Sequence, residues 1–131
     1  MKRFIFAVLM IIAGAAQAKV VMVDYDDTVN NSTATVSRFV DTESIKQYPD
    51  GVRQAWSAMT IQTNTGYSQT IWGLDLIDCA TAEVSRKQSI THFLDKPSQS
   101  GKYNQPFHAV LEGDSWVAVY DFVCTFQLRG K

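Results

Sequence analysis

The sequence predicts one small domain built on an antiparallel β-sheet, closed by a last segment whose pattern fits either a helix or a strand. Three observations point there. The chain has 131 residues, and the first 18 read as a removable leader, so 113 remain to fold, enough for one core and not two. Extended apolar runs are separated by turn signals such as Tyr48-Pro49-Asp50-Gly51 and Asn64-Thr65-Gly66. Only the C-terminal segment carries a good helical stripe. At 46% apolar, 19% charged and 11% aromatic residues, the composition argues against disorder and against fibrous or mucin-like stalks.

The elements follow in order. Lys19 to Asp24 is a β-branched run that leads into the acidic residues Asp24, Asp26 and Asp27, read as a polar loop. Asn30 to Thr35 is also polar and loop-like. Val36–Asp41 and Val52–Gln62 read as two antiparallel strands around the Tyr48–Gly51 turn, where proline presets φ and Asp-Gly tolerates positive φ. Thr70–Cys79 is a third strand, and Glu83–Leu94 is a strand paired with it. Lys96–Gln105 is an exposed loop or wide hairpin connection, and Phe107–Leu111 a short strand. Trp116, Val119, Tyr120, Val123 and Cys124 form one helical stripe, while Trp116, Ala118, Tyr120, Phe122, Cys124 and Phe126 fit strand alternation. Gly113-Asp114-Ser115 favours the helix, because Asp114 or Ser115 can cap its free N–H groups.

The leader sets the compartment. Met1-Lys2-Arg3 is a basic start, Phe4 to Ala13 is an unbroken apolar run, and Ala16-Gln17-Ala18 offers small residues for cleavage before Lys19. The run is too short for a membrane span, which needs roughly 20 residues. No cysteine follows it, so no lipoprotein anchor is expected. The expectation is a periplasmic or secreted protein without a stable membrane anchor. In an oxidising compartment Cys79 and Cys124, the whole cysteine supply, are expected to pair as a structural disulfide. No CxxC pair is present. His92 and His108, the only histidines, sit at no ligand spacing from either cysteine, so no metal or cofactor site is expected.

Charge excludes one class of partner. Without Lys2 and Arg3 the chain holds 10 basic and 13 acidic residues, a net −3, so no nucleic-acid footprint is expected. Arg86 and Lys87 are the only adjacent basic residues after the leader and are the candidate binding pair. Catalytic motifs are thin. Val20 to Val29 contains D-x-D-x-T at Asp24, Asp26 and Thr28, which resembles the first motif of haloacid-dehalogenase-type phosphatases. That chemistry needs a parallel α/β sheet, and the downstream strand–helix units are missing. No serine lies in a G-x-S-x-G turn, and there is no P-loop or Rossmann glycine pattern. The reading is therefore not an enzyme. Asn30-Asn31-Ser32 and Asn31-Ser32-Thr33 are formal glycosylation sequons, more simply read as turn residues. Trp56, Trp72 and Trp116 are assigned to the core rather than to an interaction face.

Three segments, in this order, resemble the surface-adhesin protein E family. They are Phe39-Val40-Asp41-Thr42-Glu43-Ser44-Ile45 with its turn and extended stretch to Trp56, Leu76-Ile77-Asp78-Cys79-Ala80, and Leu111-Glu112-Gly113-Asp114-Ser115 running on to Val123-Cys124. The resemblance covers roughly residues 36 to 130. It implies an α+β fold: an antiparallel sheet of about five to six strands with a C-terminal helix packed on it. It also implies that Cys79 and Cys124 bond and tie that helix to a central strand. The implied function is a non-enzymatic binding module for host proteins such as laminin, vitronectin and plasminogen, and the implied assembly is a homodimer. A periplasmic inhibitor or envelope-stress protein acting on a protein partner is the alternative. This chain departs from the family in lacking a lipidation cysteine. It also has no Lys or Arg from Gln54 to Ser85, a stretch that is basic in the adhesin.

Overall fold

A computed structural model describes residues 19–103, 105–111, 113 and 116–128. The leader expected over residues 1–18, and Asp114 and Ser115 as helix caps, lie outside the described residues. The described chain forms one antiparallel sheet and a C-terminal helix, the α+β arrangement expected. The strands are β1 (Val20–Thr28), β2 (Ala34–Asp41), β3 (Lys46–Gln47), β4 (Val52–Thr63), β5 (Ser68–Asp78), β6 (Glu83–Phe93), β7 (Gln99–Lys102) and β8 (His108–Ala109). The helix α1 spans Val117–Thr125. The sheet runs β1-β2-β4-β5-β6-β7, so it is six strands wide. The short β3 pairs with β4 beyond the end of β2, and β8 pairs with β6 beyond the end of β7. The eight strands, more than the five to six expected, occupy six positions across the sheet because β3 and β8 are short and pair beyond the ends of β2 and β7.

Turn chemistry sets the connections. Gly51 has φ +89° and closes the turn between β3 and β4, with the Gly51 N–H donating to the Tyr48 carbonyl at 3.2 Å. That turn makes a β3–β4 hairpin. The longer β2–β4 pairing is reached through a 3-10 turn at Thr42–Ser44, whose N–H at Glu43 donates to Asp41 Oδ1 at 3.0 Å. Gly66, with φ +101°, sits in the β4–β5 turn. Positive φ is nearly free for glycine and costly for other residues.

Several boundaries differ from expectation. Asp24 and Asp26 are not in a loop. They lie in β1, which pairs with β2 as far as Asp26 opposite Val36. An edge strand tolerates acidic side chains that point to water, and its charges discourage edge-to-edge association. The polar stretch at 30–35 collapses to a tight reversal. Asn30, Asn31 and Ser32 all have positive φ, and β2 already begins at Ala34. The loop expected at 96–105 contains β7, and the strand expected at 107–111 shrinks to His108–Ala109.

The helix sits on one face of the sheet. Val40, Ala55, Ile77 and Val84 from the strands meet Ile45, Val119 and Val123 in one buried cluster. Burying side chains of this size contributes about 1.5–3 kcal/mol each. A helix of nine residues is too short to persist alone in water. Three ties beyond packing hold it. Cys79 and Cys124 form a disulfide with Cα atoms 5.7 Å apart. The Tyr120 hydroxyl donates to the Cys79 carbonyl at 3.1 Å. Arg53 Nη1 donates to the carbonyls of Val123 and Phe126 at 2.7 and 2.8 Å, satisfying acceptors at the negative end of the helix. Among the described residues no helix is long and apolar enough to cross a membrane.

Candidate functional site

The expected binding pair, Arg86 and Lys87, is the first place to look, and the structure separates its two members. Arg86 points to the helix side of the sheet. Its Nε donates to Asp75 Oδ1 at 2.7 Å and its Nη2 to Oδ2 at 3.3 Å. The guanidinium carbon lies 4.9 Å from the centre of the Trp116 ring. Gly73 makes room for it, since a Cβ there would collide with the guanidinium. Asp75 is 1% exposed. Burial raises its carboxyl pKa, and the hydrogen bond and charge of Arg86 oppose that rise. An ionised carboxylate in such a place needs a counterion, and Arg86 is the one that reaches it. Lys87 is the extra residue of a β-bulge, because Leu74 faces Gln88 while Asp75 faces Arg86. The two cations thus do not form one exposed patch: Arg86 is paired with Asp75 and Lys87 stands at the bulge.

The phosphatase-like motif is likewise taken apart by the fold. Asp24, Asp26 and Thr28 lie along the antiparallel edge strand β1, not at the end of a parallel strand before a helix. Asp26 Oδ1 accepts from the Thr28 N–H at 2.9 Å and its hydroxyl at 2.6 Å, which holds the Asp26 pKa below the usual carboxylate value. Asp24 faces Arg38 at 4.0 Å. Among the described residues no three His, Cys, Asp or Glu side chains gather as a metal site. His92 is exposed and bonds Ser98 Oγ at 2.7 Å, a hydrogen-bonded surface residue.

What the fold does assemble lies on the other side of the sheet. Side chains alternate across a strand, so the cross-strand register gives the rows of each face. On the face away from α1, one row runs Met22, Phe39, Ala58, Trp72, Ile90. The next holds Trp56, Leu74 and Gln88, with Asp41 beside Trp56. A third places Gln54 opposite Leu76. Toward the other end Thr60 and Thr70 bond through their hydroxyls at 3.0 Å. Phe39, Trp56, Trp72, Leu74, Leu76 and Ile90 are all only half-buried. None of them belongs to the buried cluster or packs against it, whereas Trp116 does. Trp56 and Trp72 are therefore not core residues, which corrects the sequence reading. One short helix covers one face of a six-strand sheet, and these residues stand on the other.

Contiguous apolar patches on a protein surface mark interaction sites, ligand grooves or aggregation liabilities. The composition of this face fits an interaction site: aromatic residues are enriched and lysine depleted at the centres of interfaces. Asp41, Trp56, Trp72 and Ile90 line a shallow concavity of about 310 Å³ within it. The signal was present in β5. Its outward parity carries Trp72, Leu74 and Leu76, while its inward parity carries Gly73 and Asp75 beside Ile71 and Ile77. A strand that is apolar on both parities needs two covers, and among the described residues one helix packs on the sheet. In comparisons with protein-family models, with curated proteins and with solved structures, nothing matches this chain.

Proposed function

We propose that this chain is an exported, non-enzymatic binding module of the surface-adhesin protein E type, which docks a protein partner on the open face of its sheet. The observation that carries the proposal is the half-buried row of Phe39, Trp72 and Ile90 with Trp56 and Leu74 beside it, apolar residues that no helix of the described chain covers. The leader-like start and the disulfide support export, since disulfides persist in oxidising compartments. The resemblance supplies the partner class: host matrix and plasma proteins. The docking surface is this face and not the Arg86–Lys87 pair, because Arg86 is engaged with Asp75.

Binding to immobilised laminin, vitronectin and plasminogen, measured for the wild type and for the Trp56→Ser, Trp72→Ser double variant, tests the proposal. Tryptophans at interface centres often cost more than 2 kcal/mol when truncated, so affinity should fall at least about thirtyfold. Circular dichroism and thiol titration check that the variant keeps its sheet and its disulfide. Sedimentation of the wild type reads the competing occupant, a second copy of this chain. Partner binding that survives the double variant would refute the assignment of the face.

A further inference from the structure

We infer that the concavity at Asp41, Trp56, Trp72 and Ile90 is a lysine-binding notch, the point where a lysyl side chain of the partner anchors. The inference rests on the docking reading above and names the chemistry of its centre. Three of the four lining residues are apolar and one is a carboxylate. A ligand that matches them has an apolar stem and a single positive charge at its end, which describes lysine. Tryptophan is also the best aromatic partner for a cation.

The state of Asp41 narrows the choice. Its Oδ1 already accepts the Glu43 N–H at 3.0 Å. Its Oδ2 has no bond to the described residues, and no described cation pairs with it. A carboxylate with one oxygen committed suits a compact ammonium better than a guanidinium, whose planar fork prefers two oxygens side by side. On β4 and β5 no Lys or Arg occurs from Gln54 to Ser85, and the two lysines that flank Asp41, Lys19 beside β1 and Lys46 on β3, form no ion pair with it. Charge complementarity therefore favours a cationic occupant, and the free Oδ2 favours lysine.

Nα-acetyl-lysine methyl amide, the arginine analogue and the uncharged norleucine analogue, titrated against the full chain while the indole N–H signals of Trp56 and Trp72 are followed by NMR, test this. The lysine probe should shift both signals with a Kd of about millimolar order, as a single side chain allows. The other two probes should bind at least about fivefold more weakly. Asp41→Asn keeps an acceptor for the Glu43 N–H and removes the charge. It should weaken the lysine probe about tenfold, and Trp72→Phe should weaken it by a smaller factor. Equal binding of the norleucine probe, tighter binding of arginine, or no effect of Asp41→Asn would overturn the inference. The two readings fail separately. Partner binding lost in the double tryptophan variant but unchanged in Asp41→Asn would remove the notch and leave the docking face. Partner binding unchanged in both would remove the docking face.

Discussion

Removing the disulfide is the perturbation whose size the structure fixes best. Cys79 directly follows the central strand β5 and Cys124 lies in the last turn of α1, with a sequence separation of 45. A cross-link closing a loop of that length removes about 4 kcal/mol of chain entropy from the unfolded state. Total stability for a small domain is about 5–15 kcal/mol, so the loss is a large part of it. Cys79→Ser with Cys124→Ser should therefore lower the unfolding free energy in urea by about 2–5 kcal/mol. Both cysteines are half-buried, so the serine hydroxyls keep some access to water and add little. The effect should be uneven. Without the link, α1 rests on Val119, Val123, Tyr120 and the Arg53 bonds, and its amides should exchange before those of β4 and β5. Hydrogen exchange resolved by residue reads this directly. A loss below about 1 kcal/mol, or helix amides exchanging with the central strands, would refute the view that the bond pins the helix.

The other outcomes concern the helix side of the sheet. Gly73→Ala should push Arg86 off Asp75 and cost about 3 kcal/mol or more, read by urea unfolding, because it breaks a pair whose carboxylate is buried. Arg53→Met should leave the Val123 and Phe126 carbonyls without this donor, costing about 1–3 kcal/mol and speeding exchange at the Phe126 amide. Asp75 has a pKa raised above its ordinary 3.8, so the folded state binds that proton more tightly than the unfolded state. Its stabilising contribution is then fully present below 3.8 and is lost as pH rises through the folded value. The stability of the wild type minus that of Asp75→Asn, followed by thermal unfolding, should therefore increase as pH falls from neutrality toward 4.

Much of the frame was legible because local chemistry decided it. Asp50-Gly51 and Thr65-Gly66 demand turns, and the strands on either side of each follow from alternation. The helix was legible only as an alternative, since nine residues satisfy both periods and packing on Val40, Ala55 and Ile77 made the choice. Three features could not be read in advance. Asp24 and Asp26 join a strand because β2 offers them partners, a long-range pairing with no local signature. Arg86 turns inward because a buried carboxylate sits across from it and Gly73 clears its path, which needs β5 and β6 in register. Trp56 and Trp72 face outward because the helix covers the other parity. Sequence alone reports that both parities are apolar and not which one is covered.

The central claim is that one face of the sheet is closed by α1 and the other is the docking surface. Cross-saturation NMR tests it most directly, with the labelled chain bound to an unlabelled matrix or plasma protein. Saturation should reach the indole of Trp72, the methyls of Leu74 and Ile90 and the ring of Phe39. It should leave Val119, Val123 and the Arg86 guanidinium untouched. Saturation that arrives first at the exposed side of α1 or at Lys87, with Trp56 and Trp72 silent, would contradict the claim and return the binding site to the bulge in β6.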